Sequence, residues 1–259
     1  MKTRIITALL IIACVIPPLL FGGPLLDALV AFIIIGGGVE LLALKEDKTE
    51  SWPFLVKPIA IAFVFILTYL QTKELLVPLF GVFVLFFLSI SVFTERFHAK
   101  DGFLCISYLA LFTLIAKSFL NIYGANPMYV WYIILATYAC DTGAYFCGRF
   151  LGKHKMNPRI SPKKTWEGAF GGWIFGAIIS FAFAYFFIPE MPVLYMVIAS
   201  LTLTITGQIG DLVFSSIKRT FEIKDYSNLL PGHGGVLDRV DSLVFNFICF
   251  NLILVVLTL

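Results

Sequence analysis

An all-α fold, a polytopic membrane bundle of about nine spanning helices, is what this sequence predicts, and three observations carry the prediction. Of 259 residues, 59% are hydrophobic and only 14% charged. A soluble domain of that size needs a polar surface that this composition cannot supply. The apolar residues also come in runs of the length a helix needs to cross a hydrocarbon core, about 20 residues. Finally, Lys and Arg concentrate in alternate loops, as they do on the cytoplasmic side of membrane proteins.

The expected crossings lie at residues 5–21, 25–44, 55–70, 75–93, 103–120, 128–146, 169–188, 193–217 and 240–259. The first follows Lys2 and Arg4 as a signal peptide would, but no small-residue cleavage site comes after it, and Pro17-Pro18 leads on towards the second run. It reads as a retained helix. With the N-terminus inside, 17 of the 19 Lys and Arg residues face the cytoplasm, among them Lys45, Lys48 and Lys57 of the second loop. Only Lys73 and Lys117 face out, so the orientation expected is N-in, C-out. The five cysteines, in or beside apolar runs and without ligand spacing, are expected to pack as small hydrophobes.

Charge divides the chain more sharply than hydropathy does. Residues 141–168 and 211–241 carry 17 of its 35 charged side chains. The chain is read as one integral membrane domain, 1–259. Residues 1–124 serve mainly as scaffold, and 125–259 hold the catalytic helices and cytoplasmic loops. In the scaffold Asp27 favours a helix start and Lys117 can snorkel outward. Glu40, an acid inside an apolar run near Lys45, is either a paired or snorkelling side chain or a functional one.

Helix geometry brings the acids of the second half to one depth. Asp141 lies 13 residues into the sixth run and Asp211 lies 18 into the eighth, about 20 and 27 Å at the helical rise. Both approach the cytoplasmic edge of a core about 30 Å thick. Asp238 and Asp241, spaced i and i+3, open the ninth run from the same side. Asp211, Ser215 and Lys218 share a helix face. Carboxylates collect divalent metal, and Lys and Arg collect phosphate. Helix-end salt bridging explains any one of these residues, but not acids, bases and glycines arriving together.

Two loops complete the pattern. Pro231-Gly232-His233-Gly234-Gly235 is a turn whose glycines also suit backbone amides wrapped around phosphate oxygens. His233 could orient a phosphate or transfer a proton. The segment from Arg149 through Ser161, Lys163 and Lys164 to Trp166 can serve as a positive-inside anchor on anionic lipid. It also suits a nucleoside triphosphate or a lipid phosphate.

At these residues a resemblance becomes specific. Ser215-x-x-Lys218-Arg219, Lys224-Asp225 and Pro231-Gly232-His233-Gly234-Gly235-Val236-Leu237-Asp238-Arg239-Val240-Asp241 resemble the signature of the phosphatidate cytidylyltransferase (CDP-diacylglycerol synthase) family. Asp141-Thr142-Gly143, Gly148-Arg149, residues 161–168 and Gly207-Gln208-x-Gly210-Asp211 are similar to it as well, so the likeness covers the C-terminal half.

The resemblance implies cytidylyl transfer from CTP to phosphatidic acid, giving CDP-diacylglycerol and pyrophosphate. It implies Mg²⁺ and a monovalent cation such as K⁺, with Asp211 and Asp238 as metal ligands and Asp241 close by; Asp141 is added as ligand or support. Lys218, Arg219 and His233 join the acids as catalytic candidates. Arg149, Ser161, Lys163, Lys164, Ser215, Lys224, Asp225, Gly234, Gly235 and Arg239 are the substrate-binding candidates. The expected setting is a bacterial inner membrane with the site facing the cytoplasm. Its partners are CTP, phosphatidic acid and the bilayer, with no nucleic acid, and a homodimer is possible. A CTP-dependent lipid-alcohol kinase, a cytidylyltransferase for another lipid and an ion-coupled transporter are the alternatives.

Overall fold

The computed structural model describes residues 2–44 and 51–258. Lys45 and Lys48, which entered the orientation count, and Leu259 at the end of the ninth run lie outside the described residues. Among the described residues there are nine helices: α1 (Lys2–Phe21), α2 (Gly23–Leu41), α3 (Val56–Tyr69), α4 (Lys73–Phe93), α5 (Ala99–Ala125), α6 (Pro127–Phe150), α7 (Trp166–Phe187), α8 (Val193–Thr220) and α9 (Leu237–Thr258). Between α6 and α7 runs an antiparallel hairpin of β1 (Lys155–Asn157) and β2 (Ser161–Thr165).

The chain is a polytopic helical membrane protein, and among the described residues seven helices are long and apolar enough to cross a membrane. The other two depart from the simple pattern for physical reasons. Helix α3 has 14 residues, about 21 Å at the helical rise and short of a full hydrocarbon core. Helix α6 has the length, 24 residues, but carries Thr137, Asp141, Thr142 and Arg149. Helix α1 continues through Pro17 and Pro18, and the break before α2 falls at Gly22 and Gly23, whose φ angles are 65° and 56°.

The helices and loops form two compact units. Unit 1 comprises Met1–Lys117 and Asp225–Asp238. Its organising feature is Gly36-Gly37-Gly38 on α2. A Cβ on Gly38 would fall 2.7 Å from the ring of Tyr108, and one on Gly37 would strike the ring of Phe112. Without those Cβ atoms the α5 aromatics lie directly on the α2 backbone, and the Tyr108 hydroxyl donates to the Ile34 carbonyl at 2.9 Å. Such small-residue contacts carry helix association in lipid, where apolar burial alone gives no drive. Further polar links join the ends of helices. The Tyr69 hydroxyl donates to Asp27 at 3.0 Å, and the Lys117 ammonium donates to the Leu70 carbonyl at 3.2 Å.

Unit 2 comprises Ser118–Lys224 and Arg239–Leu259. Helices α6 and α7 meet along Gly172 and Gly176. A Cβ on Gly172 would come within 2.6 Å of the Cys140 carbonyl, and one on Gly176 within 2.8 Å of the Cys140 Cβ and 2.7 Å of the Thr204 methyl on α8. Hydrogen bonds reinforce the packing. Tyr132 Oη and Ser200 Oγ are 2.8 Å apart, and Gln208 Nε2 donates to the Ala169 and Thr204 carbonyls at 3.2 Å each. The five cysteines are free, with Cys105 and Cys140 buried in helix contacts.

Candidate active site

The acids of unit 2 are placed by close approach of α8 and α9. A Cβ on Gly210 would lie 2.9 Å from the Asp241 carbonyl and 3.1 Å from the ring of Phe245. One turn further into the bundle, fully buried Asn246 ties three helices together. Its amide donates to Thr137 Oγ1 on α6 at 2.8 Å, and its oxygen accepts from Thr206 Oγ1 on α8 at 2.5 Å. The pair fixes the rotation of α9 against α8, so Asp241 sits beside the neighbour of Gly210, Asp211.

Around Asp211 the contacts are direct. Its Oδ2 pairs with Lys164 Nζ at 2.7 Å, and its Oδ1 accepts from Ser215 Oγ at 3.2 Å. Asp141 lies within electrostatic reach of Asp211 and Lys164, and Asp241 within reach of Asp211, Asp141 and buried Lys218. Three like charges on three helices are unfavourable unless cations stand among them. Lys164 comes from β2 and Lys218 from the last turn of α8, so hairpin and helix supply those cations from different directions. The expected face Asp211, Ser215, Lys218 is thus realised. Tyr138, one turn before Asp141, lies within electrostatic reach of Arg239, Asp141 and Asp241.

The hairpin that presents Lys164 is rigidly held. The Glu167 carboxylate accepts from the amides of Lys153 and His154 at 3.1 and 3.2 Å and pairs with His154 Nδ1 at 2.6 Å. Thr165 Oγ1 caps α7 by accepting from Gly168 N at 3.2 Å. Other predicted bases have more local partners. Arg149 donates to the Tyr145 hydroxyl at 2.7 Å on its own helix, and Arg219 donates to the carbonyls of Ile160 and Ile223. Ser161 opens β2, with Lys163 exposed two residues on. Lys224 and Arg239 are exposed.

Unit 1 holds the glycine loop and Asp238. The loop closes on itself through a bridge between Leu230 and Gly234, and the His233 amide donates to the Leu230 carbonyl at 2.8 Å. Gly234 has φ +81°, and a Cβ there would lie 2.7 Å from Asp238 Oδ2. Only glycine meets both conditions. Asp238 Oδ2 accepts from the amides of Gly235 and Tyr226 at 2.9 and 2.8 Å. Asp238 therefore shapes the loop with one oxygen as it opens α9. His233 Nδ1 is enclosed and has no hydrogen-bond partner among the described residues. Asp225, at the start of this segment, is exposed.

Among the described residues no group of three or more His, Cys, Asp or Glu could hold a metal by itself. The donor set still fits Mg²⁺ rather than a softer metal. This ion keeps several waters and is bound through one or two carboxylates together with substrate phosphates, not in an all-protein cage.

Sequence reasoning overlooked Asn246 and Tyr138, and it gave Gly210 no role beyond its place in the motif. Asn246 did carry a signal, an amide in the middle of an apolar run. A substitution tests the α8–α9 contact. Gly210→Val forces the helices apart and is expected to cost about 1–3 kcal/mol of stability through overpacking. It should also lower transfer activity, read from a melting curve and an initial-rate assay on the same preparation. Wild-type values in both would contradict the contact.

The model of the cytidylyltransferase family matches residues 2–257. A phosphatidate cytidylyltransferase of Staphylococcus aureus (strain COL) is 34% identical over 263 residues, covering 98% of this chain and 99% of that protein. The proteins of the same name from Staphylococcus epidermidis (strain ATCC 12228 / FDA PCI 1200) and Staphylococcus haemolyticus (strain JCSC1435) are each 33% identical with the same coverage. With matches running from end to end, and acids and bases assembled on its last helices, the chain belongs to the cytidylyltransferase family.

Proposed function

We propose that this protein transfers a cytidylyl group from CTP to phosphatidic acid at the cytoplasmic face of a bacterial inner membrane, releasing pyrophosphate and leaving CDP-diacylglycerol in the bilayer. The observation that carries the reading is the assembly of Asp141, Asp211 and Asp241 with Lys164 and Lys218 in a chain of this family. Full-length relatives named for this reaction supply the substrate identities.

In the step itself, a phosphate oxygen of phosphatidic acid attacks the α-phosphorus of CTP. The bond from that phosphorus to the bridging oxygen breaks, and pyrophosphate departs with the electron pair. The attacking group is already an anion, so no strong general base is needed, and positioning with charge neutralisation dominates. Within unit 2, Asp211 and Asp241, with Asp141 in support, would hold Mg²⁺, and within unit 1 Asp238 offers a further carboxylate to metal; the ion would neutralise phosphate charge, as would a monovalent cation such as K⁺.

Lys164 and Lys218 hold phosphate oxygens, Lys164 exchanging its contact with Asp211 for substrate when the site fills. Ser161 and Lys163 close over the triphosphate from the hairpin. Arg219, Lys224 and Arg239 attract the anionic substrates, and Arg149 faces the lipid headgroups. Ser215 orients Asp211. Gly234, Gly235 and the ring of His233 cradle a phosphate, with Asp225 steadying the approach to that loop. The distribution of Lys and Arg supports N-in, C-out, which puts the site where CTP is dissolved. The protein works as an integral membrane enzyme, and a homodimer is compatible with the reading.

Purified protein in detergent or vesicles, given CTP, Mg²⁺ and phosphatidic acid, is expected to release pyrophosphate only when the lipid is present. Release of CDP instead, or none with phosphatidic acid, would refute the proposal.

A further inference from the structure

The site residues so far come from the charged segments. Glu40 does not. It lies near the end of α2, among apolar residues of the N-terminal half, and is 4% exposed. A carboxylate there needs several donors, and it takes them from one distant segment. Its Oε1 accepts from the Val236 amide at 2.8 Å and the Ser227 hydroxyl at 2.6 Å, and its Oε2 accepts from the Leu237 amide at 2.8 Å. Ser227 in turn accepts from the Leu229 amide at 3.2 Å. Val236 and Leu237 stand where α9 begins, so their N–H groups have no carbonyl within the helix to receive them. Glu40 thus caps α9 from a helix about 200 positions away in the chain, and its charge also faces the positive end of the α9 dipole.

The neighbours of Glu40 are shaped to the same end. A Cβ on Gly235 would collide with the Glu40 carboxylate, and one on Gly36 would lie 2.9 Å from a methyl of Val236. From α1, Thr7 Oγ1 donates to the Pro231 carbonyl at 3.0 Å. The signature loop is therefore clasped from outside, on α1 and α2, as well as closed from within by Asp238.

We infer that Glu40 is a positioning residue for cytidylyl transfer, setting the start of α9 and the loop from Ser227 to Gly235 in the geometry the reaction needs. The inference rests on the function proposed above. Glu40 acts through the backbone of the loop and the helix start that carry His233 and Asp238. Small errors in such placement are costly, since a displacement of about 1 Å can cost about 100-fold in rate.

Glu40→Gln tests it with little change of shape. The amide presents one oxygen and one NH2 to the two backbone N–H groups, so one of them faces a donor. The expected result is a fall in kcat of about 10-fold or more, with KM for CTP changed by less than about 3-fold, because the lost contacts serve the transition state rather than ground-state binding. Amide hydrogen exchange should rise in the peptide covering 226–238 and stay unchanged in α6, α7 and α8. A kcat within about 2-fold of wild type, or exchange raised equally throughout the protein, would overturn the inference.

If Glu40→Gln does not yield folded protein, Ser227→Ala removes one of the three donors to Glu40, together with the acceptor for the Leu229 amide. It should lower kcat by about 3-fold, with the same local rise in exchange. Unchanged kcat and exchange would then overturn the inference. Wild-type protein inactive on CTP and phosphatidic acid would sink the proposed function, and this inference with it. Active wild type beside an equally active Glu40→Gln variant would sink the inference alone.

Discussion

Asp211→Asn is expected to abolish practical activity, lowering kcat by about 10²–10³-fold, the range seen when one preorganised electrostatic contact to a transition state is removed. Asparagine keeps the size of the side chain and can still accept from Ser215 Oγ. It cannot offer Lys164 a negative partner or lend a second anionic oxygen to a metal. The contact at 2.7 Å to Lys164 and the proximity of Asp141 and Asp241 make this carboxylate the one on which the cluster converges. Its loss also relieves repulsion among the acids, so the variant should be at least as stable as wild type. That combination, a normal melting curve with no transfer, separates a chemical role from a structural one. Activity within about 10-fold of wild type would remove Asp211 from the metal site.

The second large effect is expected at Asp238. Asp238→Asn retains an oxygen able to accept from the amides of Gly235 and Tyr226, so the loop can keep its hydrogen bonds. What it loses is charge. If Asp238 serves only to shape the loop, the variant should remain nearly as active as wild type. If it also contributes to metal binding, activity should fall by about 10–100-fold and the Mg²⁺ concentration for half-maximal rate should rise. We expect the latter. A titration of rate against Mg²⁺ on purified variant and wild type reads the difference, and superimposable curves would refute the metal assignment.

Much of this protein was legible in its sequence because the decisive signals are local. Apolar runs report helices, and an acid after a known number of helical residues reports its own depth. This reading puts Asp141, Asp211, Asp238 and Asp241 at one depth, and the structure groups Asp141, Asp211 and Asp241, while Asp238 binds the amides of the glycine loop. The face shared by Asp211 and Ser215 follows from the same periodicity, and their hydrogen bond bears it out. The hairpin was not legible, since strands of three and five residues rich in Lys and Pro carry no clear alternation. The shortness of α3 was legible, since its run, residues 55–70, is the shortest of the nine and the helix found, Val56–Tyr69, follows it closely.

The largest omission concerns partnerships between distant residues. Glu40 stood out as an acid in an apolar run, and the pairing that explains it joins positions 196 and 197 apart in the chain. Gly210 looked like one more glycine of the motif. Its role appears only when α9 is laid against it, with the Asp241 carbonyl where a side chain would have been. Asn246 similarly gains meaning from Thr137 and Thr206, one on each neighbouring helix. Periodicity assigns such residues to a face, while packing decides what that face meets.

The most direct test of cytidylyl transfer follows the phosphorus atoms. Purified protein in vesicles containing phosphatidic acid is given CTP labelled in one reaction at the α-phosphate and in another at the γ-phosphate, with Asp211→Asn as control. Cytidylyl transfer predicts α-label in the lipid product, γ-label in pyrophosphate, and neither movement with Asp211→Asn. Recovery of γ-label in the lipid fraction would identify a kinase, and label confined to unreacted CTP would contradict the proposed activity altogether.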